Sequence, residues 1–293
     1  DLAKAEILAL SEGTQAEPDA ALVDAIAAAV QASAEDPAYA ALLTRLPDVG
    51  ELFLERQPAD AVALQAGRKK LQAALFGKLA DFADTILSAP APEPYNPGAE
   101  QAGIRALRTA LLALLAASGR ENAAPRLLAI YQSATNMTEK LAALRGLASL
   151  DGAARDTALA DFEQAWKDNA LVMDKWFAAQ ASTGKADTIA RLAAHPDFDL
   201  RNPNRVRSVA AAFAMQNLPA FHAPDGSGYR VVEDIILKAD TVNPALGARL
   251  LTAFEQWRVL EPKARTEAEA SLRRLQAADL SKNSADIVSR ALG

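Results

Sequence analysis

Apolar residues recur along the chain at spacings of three and four. Leu71, Leu75, Leu79, Phe82 and Ile86 form one such run, and Ile104, Leu107, Leu111 and Leu114 form another. Positions at these spacings share one side of an α-helix, so the runs predict amphipathic helices that each bury a stripe.

The residues between the stripes fit the same pattern. Asp36-Pro37 and Asn243-Pro244 put a capping side chain before a proline whose fixed φ suits the first helical position. Asp19 before Ala20, and Asn136 three residues before Glu139, are further start signals. Together they predict roughly a dozen and a half short helices joined by tight loops, and hence antiparallel helix pairs.

One segment breaks the pattern. Pro90 to Gly98 carries prolines at 90, 92, 94 and 97, and residues that precede proline resist the α region, so an extended surface segment is expected. Composition and loop length are alike on its two sides. The predicted organisation is therefore a single helical domain over 1–293 with a break near 90–98, built as stacked antiparallel helix pairs like an α-solenoid of the ARM/HEAT kind. No sequence repeat of fixed period stands out.

Composition supports an all-α class. The chain is rich in alanine, has 5% aromatic residues, and is 51% hydrophobic over 293 residues, enough for a sizeable core with little sheet. The net charge is −6 with Lys and Arg dispersed, so neither nucleic acid nor a membrane is an expected partner. The absence of cysteine excludes disulfides and thiolate metal sites and suits a reducing compartment; a cytoplasmic location is expected. Apolar stretches such as Ala110 to Ala117 fall short of a membrane span, and no secretory leader pattern opens the chain. A start at Asp1, in helix-forming sequence without an initiator Met, reads as a piece of something longer.

Candidate chemistry is sparse. A helical zinc-peptidase site needs two His one turn apart with a Glu between them. Only His195 and His222 occur, in different loops and neither followed by Glu; one is expected to be exposed and the other bonded to backbone. No catalytic residue and no metal ligand is therefore assigned. Asp225-Gly226-Ser227-Gly228 lacks the Lys-Ser/Thr ending of a phosphate loop and reads as a glycine turn. Glu233-Asp234 and Glu267 with Glu269 read as solvated helix faces, and Trp166, Trp176 and Trp257 fall on apolar stripes as core residues.

Two arginine positions stand out. Asn202-Pro203-Asn204 reads as a loop ending in a cap, which places Arg205 and Arg207 in a first helical turn, where positive charge opposes the helix dipole. Either they pair with Asp197 or Asp199 just upstream, or they hold an anion such as a carboxylate. Arg249 borders the stripe of Leu246, Leu250, Ala253 and Phe254. It either lines a cavity between helices or lays its stem over apolar surface with its head in water.

Four segments, in order, carry a resemblance: Ala134-Thr135-Asn136-Met137-Thr138, Asn169 through Phe177 (NALVMDKWF), Asn202 through Ser208 (NPNRVRS) and Phe221 through Tyr229 (FHAPDGSGY). They resemble the C-terminal helical domain of the aminopeptidase N (alanyl aminopeptidase) family of Gram-negative bacteria, zinc peptidases of the gluzincin type. The likeness covers most of the chain, is strongest from Asn136 onward, and includes an end at Gly293 that looks like the family's C-terminus. The resemblance implies a four-domain parent enzyme that removes N-terminal residues from peptides in late protein turnover. Its zinc helix, amine-recognition motif and catalytic tyrosine would lie in a preceding domain, so this chain alone is expected to hold no cofactor and to be inactive. In the family this last domain is a helical bowl that closes over the catalytic domain, restricts access, and faces the downstream part of the substrate with basic residues. Arg207 and Arg249 match positions used there as substrate-binding residues. Where related enzymes can place a polar residue one turn before the second arginine, this chain has Ala245. The implied partners are the parent's own N-terminal and catalytic domains and peptide substrates. The rival reading is a free-standing solenoid that binds proteins through its concave face.

Overall fold

Each capping signal in the sequence opens a helix. Asp19 accepts the Leu22 N–H at 2.8 Å, Asp36 that of Tyr39 at 3.1 Å, Asn136 that of Glu139 at 3.0 Å, and Asn243 that of Leu246 at 3.2 Å. These side chains satisfy donors that no helical carbonyl can reach.

The computed structural model describes residues 1–293. In chain order its α-helices are α1 (Leu2–Glu12), α2 (Ala20–Ala32), α3 (Pro37–Leu43), α4 (Val49–Leu52), α5 (Ala61–Ser88), α6 (Ala99–Ala117), α7 (Ala123–Ser133), α8 (Met137–Ala148) and α9 (Ala153–Trp166). They continue as α10 (Ala170–Ala181), α11 (Ala186–Ala193), α12 (Pro203–Val206), α13 (Ala212–Gln216), α14 (Leu218–Phe221), α15 (Ser227–Val242), α16 (Pro244–Leu251), α17 (Pro262–Ala277) and α18 (Lys282–Leu292). There is no strand, only an isolated bridge between Ala59 and Leu260. The fold is all-α, as the stripes predict, and no helix is long and apolar enough to cross a membrane.

The chain forms two compact units. One holds Asp1–Asp48 and Ala63–Ala165; the other holds Val49–Val62 and Trp166–Gly293. The proline-rich connector between α5 and α6 lies inside the first. It is non-helical and mostly exposed, as expected. Gln101 ties it down, donating to the Pro94 carbonyl at 3.0 Å and accepting the Asn96 N–H at 2.8 Å.

In the first unit α6 packs on α3 and α8, and α7 packs on α8. Leu71, Leu75 and Leu79 of α5 and Leu107, Leu111 and Leu114 of α6 are buried, while Ile104 is half-buried. Phe82 and Ile86 are also half-buried, and Ala83 and Leu87 take the core positions near the end of α5. At ~1.5 Å per residue α5 is far longer than one neighbouring helix is wide, so its buried face need not keep one direction.

A buried ion pair joins three helices of this unit. The Arg108 guanidinium meets the Glu139 carboxylate at 2.9 and 3.0 Å and donates to the Ile86 and Ala89 carbonyls at the end of α5. Arg108 thus sits at the negative end of one helix dipole and Glu139 in the first turn of another, at its positive end. Glu139 does not reach back to its cap as a capping box would suggest, because Arg108 takes its carboxylate.

In the second unit α15 packs on α16 and α17, and α18 packs on both of these. Residues 49–62 belong to it as a strap. Phe53 is buried with its ring 5.7 Å from that of His222. Ala59 accepts the Glu261 N–H at 2.9 Å and donates to the Val259 carbonyl at 2.7 Å, so both of its backbone groups are paired.

Three expectations fail here. Glu233 is buried rather than solvated, because Arg274 at 2.8 Å and the Ser271 hydroxyl at 2.7 Å hold its carboxylate. Trp166 is half-buried, whereas Trp176 and Trp257 are core residues as predicted. His195 is the histidine bonded to backbone, through the Asp197 N–H at 3.1 Å, but His222 is buried against the Tyr229 hydroxyl at 2.8 Å rather than exposed.

Candidate functional site

Arg205 and Arg207 begin a helix whose start is fixed by Asn202, which accepts the N–H groups of Asn204 and Arg205 at 3.0 and 3.3 Å. Two residues are about 200° of helical rotation, so the two side chains leave on opposite sides. Arg205 goes inward. It pairs with Asp174 of α10 at 2.6 Å, donates to the Asp197 carbonyl at 2.6 Å, and lies over the Phe177 ring at 4.5 Å. One of the two readings has the pair meet the carboxylate of Asp197 or Asp199. Only the backbone of Asp197 is used, because Asp199 is taken by Arg201 at 3.0 Å.

Arg207 goes outward. It is exposed, and its Nη2 donates to the Asn204 side-chain carbonyl at 2.5 Å with no carboxylate in reach. It also opens a π-helical turn, Arg207–Ala211, in which Ser208, Val209 and Ala210 are buried. Such turns are rare and recur at functional sites.

Arg249 stands near the end of α16, at the edge of the buried stripe of Leu246 and Leu250. It is exposed and forms no ion pair, so of the two readings its head is in water. Ala245, one turn earlier, is exposed too, and its side chain offers no hydrogen-bonding group. Both predicted substrate residues are therefore open cations in the second unit. That unit also carries an open groove of about 500 Å³ with Phe198, Leu200, Ile235 and Val242 in its wall, and neither arginine lines it.

No group of three or more His, Asp or Glu side chains is placed to hold a metal. His195 accepts the Asp197 N–H at 3.1 Å on Nδ1 and packs its ring against Trp176 and Phe177. His222 is enclosed by Phe53, Phe221 and Tyr229, and burial pushes its pKa down to about 3. Burial, then the charges of Glu261 and Glu267, push the Tyr229 phenol up. The two histidines stand apart from any cluster of carboxylates, and the donor set does not fit a zinc ion.

The segment 225–228 is the glycine turn that was expected. Asp225 accepts the Ser227 N–H and hydroxyl at 2.9 and 2.7 Å, and Gly226 has φ 69°. Gly228 lets α15 start against the carbonyls of Ala220 and Phe221, where any Cβ would collide. Sequence reasoning did not single out Arg105, which is buried beside Arg108 in α6. The available signal was two arginines, one turn apart, beside the apolar stripe of Ile104, Leu107 and Leu111.

A family model described as "Domain of unknown function (DUF3458_C) ARM repeats" matches residues 1–293. Aminopeptidase N of Caulobacter vibrioides is 37% identical over 275 residues, which is 92% of this chain and 32% of that protein. Aminopeptidase N of Escherichia coli K12 is 33% identical over 258 residues, 87% of this chain and 30% of that protein. The chain thus spans about a third of the length of these relatives. Among solved structures, that of Legionella pneumophila aminopeptidase A in complex with aspartic acid superposes with a TM-score of 0.87 at 27% identity, covering 99% of this chain and 36% of that one.

Proposed function

Because the chain belongs to the DUF3458_C family of ARM-repeat domains and matches the C-terminal domain of bacterial aminopeptidase N, we propose that residues 1–293 act as one non-catalytic domain of a zinc aminopeptidase. The parent removes N-terminal residues from peptides, and its metal and catalytic residues lie in the part of the protein that this chain does not span. This domain caps the active site, limits access to it, and contacts the downstream part of the peptide. Its other partners are the parent's N-terminal and catalytic domains. The lack of cysteine suits a cytoplasmic parent.

The observation that carries this reading is the alignment of nearly the whole chain with about a third of each aminopeptidase N. Arg207 and Arg249 support the contact role, since each presents an exposed guanidinium with no carboxylate partner. A guanidinium fork suits peptide carbonyls and the terminal carboxylate.

The isolated chain, assayed with an alanine amide and analysed for metal, should show neither turnover nor stoichiometric zinc. Turnover by the purified fragment would overturn the assignment.

A further inference from the structure

In the first unit, between the proline-rich connector and the start of α8, lies a pocket of about 200 Å³. Its wall is the connector from Ala91 to Tyr95, Arg105 of α6, and Thr135 with Asn136. The last two belong to a segment that the sequence marks out and that the proposed function does not use.

Arg105 is 7% exposed. Its Nη1 donates to the Asn96 carbonyl at 3.0 Å and to Gln101 Oε1 at 3.4 Å, and its guanidinium lies 4.7 Å from the centre of the Tyr95 ring. None of these partners is charged. The other two buried arginines each have a carboxylate, Arg108 that of Glu139 at 2.9 Å and Arg205 that of Asp174 at 2.6 Å. Burying a cation without a counter-ion is unfavourable, so Arg105 is a place where an anion gains.

The surroundings add to this. Asn136 caps α8, a helix of 12 residues, and its N-terminal end carries positive partial charge. The carboxylate in the first turn of α8, Glu139, is consumed by Arg108 and leaves Arg105 uncompensated. The carboxylate in the pocket wall is Glu93. It is exposed on the connector and forms no ion pair with Arg105. The pocket thus pairs a buried guanidinium with an exposed carboxylate, the pattern that a zwitterion satisfies. Its volume is below the ~300 Å³ at which drug-sized sites begin, which suits one small molecule rather than a peptide.

We propose that this pocket binds a free α-amino acid, with its carboxylate on Arg105 and its ammonium on Glu93. A simple carboxylate would use only half of the site, and phosphate would meet Glu93 as a like charge. The proposal does not rest on Arg207 or Arg249 and stands apart from the peptidase reading.

The test is an NMR titration of the ¹⁵N-labelled chain with L-alanine, acetate and inorganic phosphate in parallel. L-Alanine should give saturable shifts confined to residues around Tyr95, Gln101, Arg105 and Asn136. Its affinity should fall about tenfold or more in Glu93→Gln, an exposed change that leaves the core untouched, and be lost in Arg105→Lys, which keeps the charge but not the fork. Absence of saturable shifts, acetate or phosphate binding as tightly as L-alanine, or an unaltered Glu93→Gln would each overturn the assignment. The Glu93→Gln arm decides the matter even if the arginine variant loses its fold.

Discussion

Arg205 and Arg207, two residues apart on one helical turn, end in opposite environments: one is 4% exposed against Asp174, and the other stands in solvent. Arg205→Ala should cost about 3–5 kcal/mol in denaturant unfolding, because it strands the Asp174 carboxylate, which is only 16% exposed. Arg207→Ala should change stability by no more than ~0.5 kcal/mol. Equal losses from the two would show that the inward and outward roles are misassigned.

The same exposure makes Arg207 available for binding. In the full-length parent, Arg207→Ala or Arg249→Ala should raise KM for peptides about tenfold, the effect of losing roughly one charge-assisted hydrogen bond. KM for a single-residue amide should hardly move. A matched rise for both substrates would remove these arginines from the downstream contact.

Arg108 and Glu139 offer a test of how the first unit is held. Either Arg108→Met or Glu139→Gln alone should cost about 3–5 kcal/mol, since each leaves its partner buried without its counter-charge. The double variant should recover part of that loss, giving a coupling energy well above 1 kcal/mol in a double-mutant cycle. Additive losses would mean that the pair acts as two separate polar groups.

These arginines also show what could and could not be read from sequence. Capping is a three-residue affair, so Asp19, Asp36, Asn136 and Asn243 announced their helices. That Arg205 and Arg207 diverge follows from helical geometry alone. Which one turns inward depends on Asp174, 31 positions away, and on the ring of Phe177. Glu233 misled for the same reason: its partners Ser271 and Arg274 are 38 and 41 positions on, and nothing near it in sequence signals burial. The cap at Asn202 and the edge of the α16 stripe mark out Arg207 and Arg249 in the sequence, and the family likeness alone gives them a substrate role. Exposure is the property that distinguishes them in the fold, and no local pattern encodes it.

His222 sets a pH dependence. Burial lowers its folded pKa to about 3, against an ordinary value of 6.5, so the unfolded chain binds the extra proton between those values. Its contribution to stability is complete above about pH 6.5 and declines as pH falls toward 3, with a slope approaching ~1.4 kcal/mol per pH unit. His222→Gln should flatten this part of the profile. Urea midpoints for wild type and variant at pH 7 and pH 5 check it; parallel profiles would assign the acid sensitivity elsewhere.

Gly228→Ala should be among the most damaging single-methyl changes. The added carbon would meet the backbone carbonyls of Ala220 and Phe221, which cannot rotate away as a side chain would. A loss of about 1–3 kcal/mol or more is expected, read as a lower thermal midpoint. A midpoint equal to wild type would mean that α15 can slide to make room.

The strap of residues 49–62 belongs by packing to a unit whose remaining residues begin at Trp166. On the ribosome it emerges ahead of the rest of that unit, with both hydrogen-bonding groups of Ala59 without their native partners until Val259 and Glu261 have been made. The second unit therefore cannot complete itself as a nascent chain from its own C-terminal stretch. A protease that nicks the strap would unpick that unit from a distance in sequence, and a clone starting at Trp166 would lack an internal part.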